Sequence, residues 1–378
     1  MVLAIALIYG YTALPQNRII VHVDLDYFFA QIEELEHPEY RGKPVVVCVY
    51  SGRTDESGAV STANYVARQF GVRSGMPISW AKRALKSQEA VFLPVNREKY
   101  DIVSDQIMDI LRVFGDIFEQ VSVDEAYLDV SEKLRGDFER AERLGREIKA
   151  SIREKVGLTC SVGIGPNKLV AKIAANIVKP DGLTIVLPGS VNDFLRPLPI
   201  GRLYGVGKKT EKILTDRGLK TVGDLADQPV DQLSQIFGRT LGNYFHESAN
   251  GIDRSEVKER GLPKSLSRIT TLKSDTRKMD ELRPILEILC DDLFQKLNTY
   301  GIAFRSAGII AITTDMSVQS RSLSLDEPVA DKKVLLESVQ RLLEDYLRES
   351  RQDLRRIGVR VSAFSPSAAQ KSISSYFG

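Results

Sequence analysis

The stretch Val121-Ser122-Val123-Asp124-Glu125-Ala126-Tyr127-Leu128-Asp129-Val130 decides the fold expected of this chain. Apolar and polar residues alternate on both sides of Asp124-Glu125, which predicts two strands forming a hairpin with both carboxylates at its tip. Neighbouring negative charges at the end of apolar strands destabilise a fold unless a cation compensates, and Mg2+ is a hard cation that binds carboxylates. Taken alone, an acidic dipeptide is more often a solvated turn.

A second acidic stretch, Ile19 to Ala30, favours a metal site over the solvated turn. Its nearly continuous apolar run predicts a central buried strand, which ends at Asp24 and Asp26 before a helix begins. An acid at this strand end can meet the hairpin tip across the top of a sheet. Three carboxylates from the two stretches would then hold two Mg2+ ions for phosphoryl transfer, with the backbone carbonyl of Leu25 as a further ligand.

Length and composition set outer limits on the fold. The 378 residues exceed one ordinary domain, and 43% hydrophobic with 27% charged residues is typical of a soluble globular protein. The net charge of +2 gives no overall basic character, so any nucleic-acid surface must come from local segregation of charge.

Cysteine and histidine usage indicates the compartment. The three cysteines and three histidines are scattered without metal-ligand spacing, which predicts buried free thiols in a reducing, cytoplasmic compartment. Residues 1–17 contain an apolar run, but no positive charge precedes it and it is too short to span a membrane. We therefore expect neither export nor membrane insertion.

Three local patterns are compatible with anion binding and also with ordinary structure. Tyr65 and Arg68 share one face of a predicted helix, as a phosphate-binding pair or as an exposed arginine beside a half-buried tyrosine. Lys179 precedes a proline at a predicted helix end, where a basic residue is common without any ligand. Gly205 and Gly207 precede a helix whose N-terminus either approaches a DNA phosphate or follows a tight interhelical turn.

The C-terminal part of the chain is predicted to form a separate mixed domain and a tail. Strands and helices follow one another there in a β-α-β-β-α-β order. Acidic residues concentrate on the helices and basic residues on or beside the strands, which predicts one basic sheet face suited to a DNA backbone. In the tail, a helical turn would gather Ile373, Tyr376 and Phe377 into a plug for a partner's pocket or into a contact with their own domain.

From about Arg18 to Phe364 the chain resembles the Y-family translesion DNA polymerases of the DinB, or polymerase IV, type. The resemblance rests on several long motifs in the family's order: Val23-Asp24-Leu25-Asp26-Tyr27-Phe28-Phe29-Ala30-Gln31, Tyr50-Ser51-Gly52-Arg53, Thr62-Ala63-Asn64-Tyr65-Val66-Ala67-Arg68, Ser122-Val123-Asp124-Glu125-Ala126-Tyr127-Leu128-Asp129, and Asn167-Lys168 through Lys179-Pro180-Asp181-Gly182.

This resemblance implies an α+β multidomain fold shaped as a right hand. The implied units are an N-terminal extension (1–17), a catalytic palm (18–37 and 94–189), fingers (38–93), a helix-hairpin-helix thumb (190–250), a linker (251–262), a β-α-β-β-α-β little finger (263–364) and a tail (365–378). It also implies an error-prone, template-directed polymerase without a proofreading exonuclease, acting as a monomer on primer–template DNA and deoxynucleoside triphosphates.

The resemblance assigns roles to the residues of the active site. It gives the two Mg2+ ions the ligands Asp24, Leu25, Asp124 and Glu125, and it leaves Asp26 outside the metal ligands. The incoming nucleotide is assigned to Phe28, Phe29, Tyr65, Arg68 and Lys179, with Phe29 as a steric gate against a ribose 2′-hydroxyl. The small residues Val49, Ala59 and Gly75 would roof the nascent base pair with few contacts that test its shape, hence low fidelity.

The resemblance also assigns contacts away from the chemistry. DNA-backbone contacts fall on Gly205, Gly207, Lys208, Arg268, Arg321, Arg356 and Arg360. A peptide that binds a PCNA-like sliding clamp is expected at Gln370, Ile373, Tyr376 and Phe377, where tethering would offset a weak grip on DNA.

Two other functions remain open at this point. A palm-type nucleotidyl cyclase can share the metal hairpin, but it needs neither a hairpin-rich thumb nor a basic sheet domain. A catalytically inactive DNA- and clamp-binding scaffold is the second alternative. It is disfavoured because an idle site has no reason to keep buried like charges together.

Overall fold

The computed structural model describes residues 18–367, whose strands form three sheets. Numbered along the chain, the strands are β1 (Ile20–Leu25), β2 (Val45–Tyr50), β3 (Gly58–Ala63), β4 (Val91–Pro94), β5 (Ile117–Gln120), β6 (Glu125–Asp129), β7 (Cys160–Gly165), β8 (Leu183–Ile185), β9 (Ser265–Thr276), β10 (Ile302–Thr313), β11 (Val318–Val329) and β12 (Leu354–Pro366).

The helices connect these strands and also build one unit without a sheet. They are α1 (Phe28–Glu36), α2 (Tyr65–Gln69), α3 (Ile78–Ala84), α4 (Arg97–Arg112), α5 (Ser131–Leu134), α6 (Phe138–Val156), α7 (Lys168–Ala175), α8 (Val191–Leu195), α9 (Lys208–Thr215), α10 (Val222–Ala226), α11 (Val230–Phe237), α12 (Arg239–Ala249), α13 (Met279–Tyr300) and α14 (Lys332–Glu349). Within residues 18–367, no helix is both long enough and apolar enough to cross a membrane.

The palm is a five-stranded sheet in the order β5-β6-β1-β7-β8. Its central strand β1 is buried along its whole length, as the apolar run predicts. Val21, Val23 and Leu25 alternate into the main core. On the other face of the sheet α7 lies very close to β7, because a Cβ on Gly163 would come within 2.0 Å of the carbonyl oxygen of Ala171.

The first strand of the acidic hairpin lies earlier than the sequence pattern indicates. β5 ends at Gln120, and Val121 to Val123 belong to the turn that follows it. The N–H groups of Val121 and Ser122 donate to the carbonyl oxygen of Glu125 at 2.9 and 3.2 Å and close this turn. Val121 and Val123 pack against two different hydrophobic clusters, so their alternation reflects anchoring of the turn and not strand pairing.

The fingers contain a small sheet in the order β3-β2-β4 together with α2 and α3. The small residues after Ser57 form strand β3, which pairs with β2 and places Ala59 opposite Val49. Gly58 has φ +140°, and a Cβ there would come within 2.2 Å of the carbonyl oxygen of Val49. A larger residue at this position would therefore push the two strands apart.

The thumb consists of short helices from α8 to α12, whose apolar core continues into α7 of the palm through Leu169, Val170 and Ile173. Gly205 has φ +90°, and a Cβ on it would meet the Tyr244 ring at 2.9 Å. Gly242 likewise lets α12 approach α11, because its Cβ would come within 2.6 Å of the Ser234 nitrogen. Close approach of helices at glycine explains why this region is rich in short glycine turns.

Residues 251–262, which the resemblance assigns to a linker, are attached to the palm over part of their length. Val257 is only 3% exposed and packs with Ile20, Tyr127 and Ala171. The Lys258 N–H donates to Glu119 Oε2 at 3.2 Å. A single apolar anchor gives no period, so hydrophobic patterning does not detect this contact.

The little finger has the sheet order β11-β10-β12-β9. Its elements follow one another as β-α-β-β-α-β, as predicted, and α13 and α14 cover one face of the sheet. Arg53 of the fingers joins this domain by donating to the Leu272 carbonyl oxygen at 2.6 Å and by an ion pair with Asp275. Fingers and little finger are therefore in direct contact.

Candidate active site

Strand pairing brings the acidic residues of the two sequence stretches together. β1 and β6 are antiparallel, with Asp24 directly opposite Glu125. The Leu25 N–H donates to the Asp124 carbonyl oxygen at 2.9 Å, which holds the turn against the end of β1. Three carboxylates from two stretches that are distant in sequence are thus carried by two paired backbone segments, as predicted.

Two of these carboxylates form ion pairs with lysines. Lys179 Nζ donates to Asp24 Oδ1 at 2.5 Å, and Lys172 Nζ donates to Glu125 Oε2 at 2.5 Å. The carboxylates of Asp24 and Glu125 are each directed to an ammonium group, and Asp124 Oδ1 accepts from Ser122 Oγ at 2.6 Å. The oxygens of these three carboxylates do not lie within 4.8 Å of one another in this state. The two ammonium groups offset the negative charge that the carboxylates bring together. The ligand atoms of the site are all oxygens, which suits a hard divalent cation.

The protonation of the two paired carboxyl groups differs. Burial raises the pKa of Asp24 to about 6 against the opposing effect of Lys179, and the charges of Glu125 and Asp124 act in the same direction as burial. Burial also disfavours ionisation of Glu125, but contacts with His22 and Lys172 outweigh it and lower the pKa of Glu125 to about 2. Glu125 is therefore ionised throughout the physiological range, whereas Asp24 titrates just below it.

His22 lies beneath Glu125 in the sheet and was not singled out by the sequence. Its Nε2 is 3.8 Å from Glu125 Oε2, and its ring lies 4.6 Å from that of Tyr127. Complete burial lowers the pKa of His22 to about 4, so the ring is neutral at pH 7. A neutral ring packed under the carboxylate adds no positive charge there and limits the space in which Glu125 can move.

Asp26 is a structural acid at the end of β1. Its Oδ1 accepts from Ser161 Oγ at 2.7 Å, and its Oδ2 accepts from Thr159 Oγ1 and from the Asp181 N–H, both at 2.8 Å. The side chain is fully buried. These three bonds tie β1 to β7 and to the turn that carries Lys179, so Asp26 sets the position of the lysine that reaches Asp24.

Phe29 is held in a fixed orientation. Its ring stacks on Tyr100 at 4.2 Å with 14° between the planes, and the buried Tyr100 hydroxyl donates to Glu33 Oε1 at 2.5 Å. The Phe29 residue stays partly exposed. The side chain of Phe28, which was predicted to bind nucleotide with Phe29, points into the palm core, so only its backbone is available to a ligand.

Tyr65 and Arg68 lie together beside the acidic residues. The Arg68 guanidinium lies 4.8 Å above the Tyr65 ring, and its Nε donates to the Ala63 carbonyl oxygen at 2.9 Å. Burial raises the pKa of Tyr65 to about 12, and the nearby charges of Asp26 and Asp24 contribute. The Tyr65 hydroxyl is buried without a hydrogen-bond partner among residues 18–367, so its proton is free for a ligand oxygen.

A cavity of about 630 Å3 separates the fingers from the little finger. Val49 and Ala59, two of the predicted roof residues, lie on its fingers side, and Arg355 and Arg356 lie on the opposite wall. The third, Gly75, is tied to the same strand because its N–H donates to the Val60 carbonyl oxygen at 2.9 Å. Val49 and Ala59 thus meet at one surface, Gly75 lies on the segment that is bonded to β3 beside them, and all three residues are small.

The predicted basic face of the little finger forms only in part. Arg356 and Arg360 pair with Thr271 and Ser267 on the face of the sheet without helices. Arg268 pairs with the core residue Val359 and borders α13. Arg321 pairs with the core residue Ile309 and forms an ion pair with Glu349 of α14. Residues opposite one another in an antiparallel pair point to the same side, so Arg268 and Arg321 lie on the side that the helices cover and do not contribute to one basic face with Arg356 and Arg360.

The thumb glycines and the tail complete the placement of the predicted contacts. Gly207 caps the N-terminus of α9, and Lys208 is exposed at its first turn. Gln370, Ile373, Tyr376 and Phe377 lie outside the described residues.

Lys172, which pairs with Glu125, was not identified from the sequence. It follows Lys168 by one helical turn on the same face of α7, and this spacing is a detectable signal once that helix is placed beside the sheet.

Comparison with known proteins shows to which protein family the chain belongs. The chain matches the impB/mucB/samB family over residues 23–176 and the C-terminal domain of that family over residues 263–374. Residues 201–253 match a DNA polymerase-iota thumb domain. A DNA polymerase IV of Methanosarcina acetivorans is 46% identical over 366 residues, covering 95% of this chain and 100% of that protein.

The chain belongs to the Y family of DNA polymerases. A DNA polymerase IV of Nitrosopumilus maritimus is 44% identical over 96% of this chain and 100% of its own length. Among solved structures, the Y-family DNA polymerase chimera Dbh-Dpo4(243-245)-Dbh aligns with a TM-score of 0.86 at 36% identity, over 92% of this chain and all of the chimera. An insertion ternary complex of Dbh DNA polymerase aligns with a TM-score of 0.68 at 36% identity, over 91% and 98% of the two chains.

These matches confirm the expected family and the right-hand organisation of palm, fingers, thumb and little finger. In this Y-family polymerase Lys179 is paired with Asp24, and Tyr65 lies close enough to Asp24 and Asp26 for their charges to act on its hydroxyl. Residues from three of the motifs are therefore neighbours in space.

The role of Asp26 yields a prediction about stability. Asp26→Ala leaves the Thr159 and Ser161 hydroxyls and the Asp181 N–H without their acceptor, so we expect the free energy of unfolding to fall by about 2–3 kcal/mol. Chemical denaturation monitored by circular dichroism measures this. Asp101→Ala, at an exposed position of α4, is the matched control and should change stability by less than about 0.5 kcal/mol. Equal effects of the two substitutions would contradict the structural role.

Proposed function

We propose that this Y-family polymerase is a translesion enzyme that adds deoxynucleotides to a primer 3′ end by two-metal phosphoryl transfer, with Asp24, Asp124 and Glu125 as metal ligands. The observation that carries the proposal is the register that sets Asp24 opposite Glu125, with a lysine on each carboxylate. Buried like charges held together at this cost to stability need a function that uses them.

The donor set fits two Mg2+ ions. Asp24, Asp124 and Glu125 would hold them, with the carbonyl of Leu25 as a further oxygen ligand. Ions bound there would supply the positive charge needed to activate the primer 3′-hydroxyl and to stabilise the departing pyrophosphate. His22 keeps the carboxylate of Glu125 in place from below, and Asp26 does the same for the turn of Lys179.

The residues around the acids are suited to bind a triphosphate. Lys179 is paired with Asp24 in this structure. Once other cations neutralise that carboxylate, the Lys179 ammonium group can move to a phosphate oxygen and bind it instead. The unpartnered hydroxyl of Tyr65 and the guanidinium of Arg68 lie beside it as donors. Together they orient the α-phosphate toward the primer end, which is positioning catalysis.

The roof and the thumb account for low selectivity and for DNA binding without sequence readout. Val49, Ala59 and Gly75 offer little side-chain bulk against the nascent pair, so a damaged template base meets few clashes. The exposed backbone N–H groups at Gly207 and Lys208 can approach one phosphate, and Arg356 and Arg360 can approach others from the open sheet face.

The two alternatives are separated by substrate requirement. A nucleotidyl cyclase would act on a nucleotide without primer or template, and a scaffold would bind DNA without synthesis. Support for the polymerase comes from relatives called DNA polymerase IV that align over nearly the whole chain. We further propose that the protein acts as a cytoplasmic monomer.

Removing a proposed metal ligand separates catalysis from DNA binding. Asp24→Asn keeps the size of the side chain but removes its charge, so we expect primer extension with Mg2+ to fall by at least about a hundredfold. Binding of primer–template, measured by fluorescence anisotropy, should stay within about twofold. Asp101→Asn is the control for an exposed acid outside the site. Extension by Asp24→Asn at the wild-type rate, or a parallel loss of DNA binding, would contradict the proposed division of roles.

The steric gate makes a prediction about sugar selection. Tyr100 fixes the Phe29 ring, so Phe29→Ala opens space that no neighbouring side chain can easily fill. We expect the ratio of kcat/KM for deoxynucleotide over ribonucleotide to fall by at least about tenfold, measured by single-nucleotide extension. Phe70→Ala, which removes an aromatic ring of the fingers away from this stack, should leave this ratio unchanged. A ratio that stays constant in Phe29→Ala would exclude the ring as the gate.

The tail makes a prediction about the clamp. Gln370, Ile373, Tyr376 and Phe377 are spaced as in clamp-binding peptides, and we propose that they tether the polymerase to a PCNA-like ring. Deleting residues 370–378 is expected to abolish stimulation of extension by a PCNA-like clamp and to leave the rate without clamp unchanged. A truncated protein that is still stimulated would show that the tether lies elsewhere.

A further inference from the structure

Trp80 is the only tryptophan of the chain, and its position is unusual for this residue type. It is 60% exposed, although tryptophan usually buries most of its large apolar surface. Among residues 18–367 it forms neither an aromatic stack nor a cation–π contact. Trp80 therefore contributes little to packing and is available to a ligand.

The helix that carries Trp80 is anchored so that this ring must face outward. Ile78 and Ala81 are completely buried in the fingers core, and Leu85 continues the same side after the helix ends. At about 100° per residue, Trp80 lies roughly 200° around the helix from Ile78. Arg83, three residues after Trp80, lies on the neighbouring part of the outward surface and is exposed.

This helix begins at the roof of the proposed base-pair site. Pro77, immediately before α3, forms an isolated bridge with Ala59, and both line the cavity between fingers and little finger. Ser79 also lines this cavity. Trp80 and Arg83 thus lie just beyond its fingers wall, where anything that leaves the cavity on that side would meet them.

The cations around the cavity lack carboxylate partners. Within the described range, Arg83, Arg355 and Arg356 make no ion pair, and Arg356 Nε is buried without a hydrogen-bond partner. The one acid of the lining, Glu56, is paired with Lys82 at 3.4 Å. Three uncompensated guanidinium groups and one exposed indole form the combination that binds single-stranded nucleic acid, with phosphates on the cations and a base on the ring.

We propose that the indole of Trp80 is a stacking platform for the unpaired template base that comes just 5′ of the templating base, with Arg83 contacting the adjoining phosphate. This rests on the roof assignment made above. If Val49 and Ala59 cover the nascent pair, the next template base cannot continue the duplex stack and must leave through the cavity. Trp80 replaces the lost stacking at the point of exit.

The experiment uses the full chain and its single tryptophan as the reporter. Two primer–templates share one duplex; in one the template ends at the templating base, and in the other it continues for five thymidines. We expect the longer template to quench Trp80 emission and to bind about tenfold more tightly, the range expected of one base–aromatic stack. Equal emission and equal affinity for the two substrates would overturn the proposal.

Variants assign the effect to the ring. Trp80→Ala should lose the affinity gained from the longer template yet bind the short-template substrate as wild type does, and Trp80→Phe should keep most of the gain. Arg83→Gln should reduce the gain and its salt dependence. Phe70→Ala, an aromatic of the same domain that is 40% exposed and away from the cavity, is the matched control and should keep the whole gain. Full retention of the gain in Trp80→Ala would refute the platform.

The same substrates keep this test separate from the proposed function. Extension of the primer on the short template, with Mg2+ and the complementary deoxynucleotide, depends on the carboxylates and not on Trp80. If that extension fails in the wild-type protein, the polymerase assignment is wrong. If it succeeds while the longer template adds neither quenching nor affinity, only the stacking platform is wrong.

Discussion

The register between β1 and β6 is the constraint on which the rest of the site depends. Because side chains alternate along a strand, a shift of one residue would move Asp24 to the core face and place an apolar side chain beside Glu125. The hydrophobic residues Val21, Val23 and Leu25 prevent that shift, since burying Asp24 among them would be far more costly. The palm core therefore fixes the position of the acids to within one residue.

Keeping two carboxylates together requires compensation, and the neighbouring elements supply it. Lys172 comes from α7, which can approach β7 because Gly163 has no side chain. Lys179 comes from the turn after α7, which Asp26 holds against the end of β1. The close packing of α7 thus places both lysines beside the acids. A polyanionic substrate would compete with the carboxylates for the lysines, and its metal ions would compete with the lysines for the carboxylates.

Sequence reasoning could identify the parts of the site that lie in continuous patterns. The apolar run before Asp24 and the acidic pair Asp124-Glu125 both have a local signal, and each reports an element that the structure contains. The family motifs supplied the remaining residue roles, which spacing alone left open, as for Tyr65 and Arg68.

The remaining features depend on contacts that a linear pattern does not encode. Strand register decided that Arg268 and Arg321 point to the helices, although both are basic residues on strands. Val121 and Val123 imitate a strand because each anchors a turn to a different cluster. The ion pair of Lys172 and the stacking of Tyr100 on Phe29 join segments far apart in the chain, and only the folded sheet brings them together.

Counting the bound divalent ions tests the central claim most directly. Mn2+ can be titrated by electron paramagnetic resonance against the protein with a dideoxy-terminated primer–template and the next deoxynucleotide, after subtraction of the Mn2+ held without protein. We expect two ions per chain at pH 7.5, and weaker binding below about pH 6, because Asp24 takes up a proton as the pH falls through its raised pKa. The same number of ions bound with equal affinity by Asp24→Asn would contradict the account.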